Sequence, residues 1–219
     1  MLNNYDHIAR YYDSLSRLIF FKSQVNAQVH QLRFLPEKGR VLIVGGGTGW
    51  ILEEIAKLRP EGLVVVYVEI SAKMMALSMN REIGGNQVDF VHLGIEDFSS
   101  DQRFDVICTP FLFDNFAPER AAMVFKQLDN LLKNEGLWLH TDFNLGERKE
   151  GKVTGRNGTW WKTAFLSLMY HFFKFAGNVE ASKLINMLPY FVGADYKISE
   201  EKYYYRKFIQ SMVFKKKNQ

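Results

Sequence analysis

The sequence predicts an α/β fold: a doubly wound, mostly parallel sheet of seven strands, with an antiparallel terminal strand and a helical insert. Three observations carry this. Short apolar runs rich in β-branched residues alternate with helical stripes from Arg40 to Phe143. The first run opens directly into glycines, "VLIVGGGTGW" at 41–50. The chain closes on two strand-like runs near enough in sequence to pair as a hairpin.

The elements follow in order. Residues 4–34 carry helical periodicity through Ile8, Tyr11, Tyr12 and Leu15, then Val25, Val29, Leu32 and Phe34. Pro36 and Gly39 end this stretch, so residues 1–38 read as an N-terminal helical cap. Val41–Val44 is a buried strand, and Ile51, Leu52, Ile55 and Leu58 mark the helix after it, ending at Arg59-Pro60. Leu63–Val68 is a second strand. Ser71 can cap a helix over Met74, Met75 and Leu77–Met79. Val88–Leu93 and Phe104–Cys108 are the third and fourth strands. Pro118 suits the first turn of a helix whose buried stripe is Met123, Val124, Leu128, Leu131 and Leu132. Gly136 then precedes a fifth strand, Leu137–Phe143. Glycines and charges over 144–158 predict a mobile loop, Trp160–Phe175 an aromatic helix, and a short helix is expected to end near Leu188-Pro189. Together 144–190 read as a helical lid insert; Tyr196–Tyr205 and Phe208–Phe214 are the closing strands. The whole, residues 1–219, reads as a single domain.

Composition narrows the function. The net charge of +4 is mild, and Lys215, Lys216 and Lys217 supply much of it as an expected solvated tail. That disfavours a nucleic-acid partner. The single cysteine, Cys108, excludes disulfides and argues against a cysteine metal site. The first residues are polar and acidic, without the apolar core of a signal segment, and no apolar run is long enough to span a bilayer. A cytoplasmic protein is expected. The 160–175 helix admits core packing, a lid over a hydrophobic substrate, or an interfacial membrane contact; the lid is preferred because a glycine-rich loop precedes it.

The glycine turn asks for a ligand close to the backbone. A triphosphate loop needs Lys and Ser/Thr where this chain has Trp50 and Ile51. A dinucleotide turn wants glycine at its sixth position, counted from Gly45, which is Trp50. What remains is Gly45-x-Gly47-x-Gly49, with Glu69 at the end of the second strand. A carboxylate there can accept both hydrogens of a ribose diol, which suits a ribose-bearing ligand without phosphate.

On these residues the chain resembles the class I S-adenosylmethionine-dependent methyltransferases. The turn resembles their first motif, "VYVEIS" at 66–71 the ribose-binding strand, "FDVICTPFLFDNF" at 104–116 the fourth-strand motif, and "LLKNEGLWLHTDF" at 131–143 the fifth-strand region. "YDHIARYYDSL" at 5–15 is similar to the small-molecule branch of ubiquinone and menaquinone biosynthesis. The resemblance implies S-adenosylmethionine as cofactor and a small-molecule methyl acceptor. It implies that Gly45, Gly46, Gly47 and Gly49 line the methionine and ribose side. Glu69 would hold the ribose and Ile70 pack on the adenine. Ile95, beside Gly94, would offer its main chain at the adenine edge. Thr109, Pro110 and Phe111 would form the floor below the sulfonium, and Tyr11 would close the amino-acid end. Two positions depart from the family: Ile43 and Gly94 stand where it usually carries acids.

Methyl transfer from a sulfonium is an in-line displacement that needs alignment and dryness more than a catalytic dyad. An O- or C-nucleophile would want a base, and His140 and Asp142 near the end of the fifth strand are the candidates. The aromatic insert points to an apolar or aromatic acceptor. Two other readings stay open: a non-catalytic cofactor-binding or regulatory protein of the same fold, suggested by Ile43 and Gly94, and a nicotinamide-dependent reductase, disfavoured by Trp50.

Overall fold

A computed structural model describes residues 22–144 and 184–218, together with Asp6, Ala9, Arg10, Asp13, Phe20, Arg148, Lys149, Lys152, Val153 and Lys162. Helix α1 (Ser23–Val29) runs into a 3-10 turn (His30–Phe34). Then β1 (Gly39–Val44), α2 (Trp50–Leu58), β2 (Glu61–Val68), α3 (Ala72–Ser78) and β3 (Gly85–Val91) alternate. They are followed by β4 (Phe104–Pro110), α4 (Pro118–Leu131) and β5 (Leu132–Phe143). The chain continues through a two-stranded ladder of β6 (Arg148–Lys149) and β7 (Lys152–Val153), then α5 (Leu188–Gly193), β8 (Tyr196–Tyr204) and β9 (Ile209–Lys216).

The main sheet has seven strands in the order β3-β2-β1-β4-β5-β9-β8. β1 to β5 are parallel, while β9 inserts antiparallel between β5 and β8. The order reverses between β1 and β4, so the loops leaving their carboxyl ends diverge and open a crevice there. The central strands are buried on both faces, which is why they read as continuous apolar runs. One face packs Ile51, Leu52 and Ile55 of α2 with Leu32 and Leu35 against Val41, Ile43 and Val106. The other packs α4 and α5 around Trp138, which stacks on Phe125 at 5.1 Å and meets Phe191 edge-on at 5.0 Å. Phe191 lies flat on Phe214, ring centroids 3.7 Å apart.

Local chemistry sets the boundaries. Ser71 caps α3 by accepting the Met74 N–H at 3.2 Å, and Pro118 sits in the first turn of α4. Gln31 pins the N-terminal region to the sheet. Its amide donates to the carbonyls of His140 and Met212, both at 3.0 Å, and accepts from Thr141 Oγ1 at 2.9 Å.

Several expectations are corrected. Met123 is 63% exposed; the buried stripe of α4 is Ala121, Val124, Phe125, Leu128 and Leu131, because those positions share one helical face. β3 begins and ends earlier than 88–93, and β5 starts at Leu132 without a break after α4. Pro189 starts a helix instead of ending one. Within the anticipated 144–158 loop, Arg148–Lys149 and Lys152–Val153 pair as strands. The aromatic helix expected at 160–175 lies outside the described residues apart from Lys162. No helix among the described residues is long and apolar enough to cross a membrane.

The basic end is not a free solvated tail either. Lys215 pairs with Glu135 at 2.5 Å and Lys217 with Asp195 at 3.3 Å. Lys216, only 6% exposed, reaches Asp129 Oδ1 at 2.9 Å and its carbonyl at 2.6 Å, while Tyr196 donates to the same carboxylate at 2.7 Å. Asp129→Ala strips a buried ammonium of its counter-ion and should cost about 2–4 kcal/mol in urea denaturation. Lys216→Met, which removes the charge, should cost about 1 kcal/mol or less.

Candidate functional site

The crevice at the β1/β4 reversal is a cavity of about 1090 Å³, counting its open mouth. It takes its walls from the glycine turn, the ends of β2 and β4, the loop after β3, and helix α1.

The turn is held from below by aromatic packing. A Cβ at Gly46 would lie 2.4 Å from the Tyr67 ring, so any side chain there displaces either the turn or the ring. The Tyr67 hydroxyl donates to the Gly47 carbonyl at 2.9 Å, and burial raises its phenol pKa. Gly49 sits at φ +78° as the first residue before α2, and a Cβ there would meet Ser78 at 2.5 Å. Glycine at 49 thus does for turn and α3 what a glycine at the position of Trp50 does in dinucleotide turns, where it allows close approach.

Glu69 is the central acid. It is 5% exposed; one oxygen accepts the Gly47 N–H at 2.9 Å and the other the Ser71 N–H at 2.8 Å. Burial raises its pKa, and those N–H groups partly counter the rise. A second acid reaches the turn from the N-terminal region. Asp13 accepts from Thr48 Oγ1 at 2.7 and 2.9 Å and faces Arg81 at 3.4 Å. Arg81 also donates to the Thr48 carbonyl at 2.9 Å and to Glu53 at 3.1 Å. Asp6 accepts from Ser71 Oγ at 2.6 Å and from the Lys73 N–H at 3.1 Å.

Beyond Glu69 the wall is apolar, with Ile70, Leu93 and Ile95. At its edge Glu96 pairs with Arg120, whose guanidinium stacks 4.5 Å over Phe116. The other Glu96 oxygen lies 3.2 Å from where a Cβ of residue 94 would stand. The space left by glycine at 94 is therefore already faced by a carboxylate. Ile43 is fully buried in the apolar cluster under α2.

The floor is Pro110, Phe111 and Leu112. Phe111 has φ +50°, an uncommon conformation for a bulky residue. Its N–H donates to the Thr141 carbonyl at 2.8 Å, and its carbonyl accepts from Asn115 Nδ2 at 2.8 Å. Those two bonds hold the ring in the cavity wall.

Gly45, Gly46, Gly47, Glu69, Ile70, Gly94, Ile95, Pro110 and Phe111 all line this cavity. Gly49 packs behind the turn, and Thr109 is fully buried, accepting from Trp138 Nε1 at 2.9 Å. Tyr11 lies outside the described residues. His140 and Asp142 are not among the lining residues. His140 is 1% exposed, ringed by Phe113, Phe191 and Phe214, and burial lowers its pKa to about 3. Asp142 accepts the Phe143 N–H at 2.7 Å. Burial raises its pKa to about 7, and it pushes the neighbouring buried Asp114 upward too. Both lie on the face of β5 that packs inward, His140 under Phe113, Phe191 and Phe214 and Asp142 beside the buried Asp114. Sequence reading did not single out Asp13, Gln24, Gln28, Thr48, Asn115, Glu96 or Arg120, which also bear on the cavity; no spacing distinguishes them from surface polar residues.

Two outcomes follow. Gly46→Ala should destabilise the fold by about 1–3 kcal/mol through overpacking against Tyr67, read by chemical denaturation. The raised Asp142 pKa means that the native state keeps a proton that the unfolded chain releases near pH 4. Stability should therefore fall as pH rises from the ordinary carboxylate range to about 7, and Asp142→Asn should flatten that slope in urea melts at successive pH values.

Comparison with known proteins shows what the chain is similar to. Residues 41–136 match the model of the methyltransferase domain. The chain is 29% identical over 121 residues to the putative methyltransferase YqeM of Bacillus subtilis, covering 52% of this chain and 47% of that protein. It is 26% identical over 147 residues to the ubiquinone/menaquinone biosynthesis C-methyltransferase UbiE of Geotalea daltonii, covering 64% and 61%. The match thus spans about half to three fifths of these curated relatives. Among solved structures, the 1,6-didemethyltoxoflavin-N1-methyltransferase of Burkholderia thailandensis, with S-adenosylhomocysteine bound, superposes with a TM-score of 0.62 at 15% identity, over 97% of this chain and 86% of that one. In its sheet order, its glycine turn and the match over residues 41–136, the chain is similar to the class I methyltransferases.

Proposed function

We propose that the chain binds S-adenosylmethionine in the switch-point cavity and transfers its methyl group to a small molecule. One arrangement carries this reading: the buried Glu69 carboxylate beside a turn bare of side chains. Each Glu69 oxygen holds one main-chain N–H and keeps further acceptor capacity for a vicinal diol. Gly45, Gly46 and Gly47 let a ligand approach the backbone. Ile70 and Ile95 offer apolar surface for a base, and Glu96 faces the opening at Gly94.

The electrostatics argue for a nucleoside without phosphate. The acids Asp13, Glu69 and Glu96 line the cavity, and its one lining cation among the described residues, Arg120, is engaged by Glu96. A pyrophosphate would face uncompensated negative charge at the turn. A sulfonium cation with an ammonium group suits it. The methyltransferase names of the relatives and the S-adenosylhomocysteine in the solved neighbour support the same ligand.

When bound, the cofactor supplies an activated methyl group on its sulfonium. The chain's task is then to align the acceptor and exclude water. Pro110, Phe111 and Leu112 serve both ends as a dry floor. We assign His140 and Asp142 to supporting that floor, because Thr141 between them holds the Phe111 N–H. Neither is among the residues that line the cavity, where a general base would have to meet the acceptor.

Calorimetric titration with S-adenosylhomocysteine tests the reading. Binding should weaken by about 2–4 kcal/mol in Glu69→Ala, which removes an ionised hydrogen-bond acceptor. Because burial raises the Glu69 pKa, affinity should decline on acidification at a higher pH than an ordinary glutamate would give, and Glu69→Gln should flatten that dependence. No heat at millimolar ligand would sink the proposal.

A further inference from the structure

Helix α1 and the 3-10 turn that continues it carry three glutamines, at 24, 28 and 31, and only Gln31 is used by the fold. Gln31 is bonded through both its amide nitrogen and its oxygen. Gln24 and Gln28 line the cavity, and among the described residues no hydrogen bond reaches either side-chain amide. Gln28 is only 9% exposed. A buried carboxamide is a strong donor and a strong acceptor, and natural folds pair such groups almost without exception. Gln28, with the half-buried Gln24 one helical turn away and both facing a cavity, calls for a ligand.

Their place in the fold says which ligand. Ser211 Oγ donates to the Ala27 carbonyl at 2.8 Å, and Gln31 grips β5 and β9, so α1 stands over the β5–β9 side of the crevice. The glycine turn, Glu69 and Gly94 lie on the β1–β2–β3 side. Val25 and Phe111 share the wall near the two glutamines. Resting on the reading that the opposite half holds the cofactor, we propose that Gln24 and Gln28 recognise the methyl acceptor, and that the acceptor is an uncharged, flat molecule with an amide-like CO–NH edge.

Each feature of that acceptor answers one on the wall. The Phe111 ring favours a flat partner. A carboxamide pairs with a lactam or imide edge through one donated and one accepted bond. A purely apolar acceptor would dehydrate both amides and return no hydrogen bond. An anionic acceptor would find no free cation among the described lining residues, since Arg120 is engaged by Glu96.

The test uses the full chain saturated with S-adenosylhomocysteine, titrated calorimetrically with 2-quinolone as a neutral lactam, naphthalene as an apolar ring, and quinoline-2-carboxylate as an anion. 2-Quinolone should bind about tenfold tighter than either of the others, the difference one or two neutral hydrogen bonds make. Gln28→Met, similar in volume and helix propensity, should erase about that tenfold preference while leaving S-adenosylhomocysteine affinity within about twofold. Gln24→Met should act in the same direction. Equal binding of the three probes, or a preference untouched in both variants, overturns the acceptor assignment alone. Absence of S-adenosylhomocysteine binding by the wild type overturns the cofactor reading as well.

Discussion

One carboxylate fastens this cavity together. Glu69 takes a main-chain N–H from the glycine turn with one oxygen and from the start of α3 with the other. It thereby ties the ends of β1 and β2 to the helix that follows. The rest is arranged around that clamp. Tyr67 supports the turn from beneath, Ser71 both donates to Glu69 and caps α3, and Asp6 and Asp13 bring the N-terminal region to the same place. An ionisable group buried this deeply survives because its hydrogen bonds come from the backbone, which does not move away when a side chain rotates.

The sheet was largely legible in the sequence because its signal is periodic. Val41–Val44 and Leu63–Val68 are buried on both faces, so they appear as unbroken apolar runs, and Ser71 and Pro118 mark helix starts by their own local chemistry. The glycine-and-acid side of the cavity was legible for a related reason. Glycines at 45–47 and an acid at the next strand end are rare in combination. The acceptor side was not legible. Gln24, Gln28 and Asn115 are polar residues that look alike whether they face water or a ligand, and only tertiary placement separates the cases. His140 and Asp142 show how position along a strand says nothing of burial. Their position near a strand end suggests access, but their face of β5 is packed, with Phe113, Phe191 and Phe214 around His140 and both residues buried.

The departures at Ile43 and Gly94 look different once their surroundings are known. Ile43 belongs to an apolar cluster with Leu52 and Val106, where a carboxylate would have to be buried without water. At Gly94 the missing side chain leaves room that a Glu96 oxygen faces at 3.2 Å from the would-be Cβ. The acidic lining of the cavity is thus drawn from positions other than those the family pattern names, including Asp13 from far upstream.

Gln31, in the 3-10 turn after α1, bonds to Met212 of β9, 181 residues later in the chain. During synthesis α1 leaves the ribosome before β1 to β5, yet its docking surface on β9 is made after all of them. β1 to β5 can form while the chain is still growing, but the wall bearing Gln24 and Gln28 cannot close until the carboxyl-terminal strand has threaded between β5 and β8. The wall bearing Gln24 and Gln28 thus depends on a strand remote in the chain, and a truncation that removes β9 takes away its anchor.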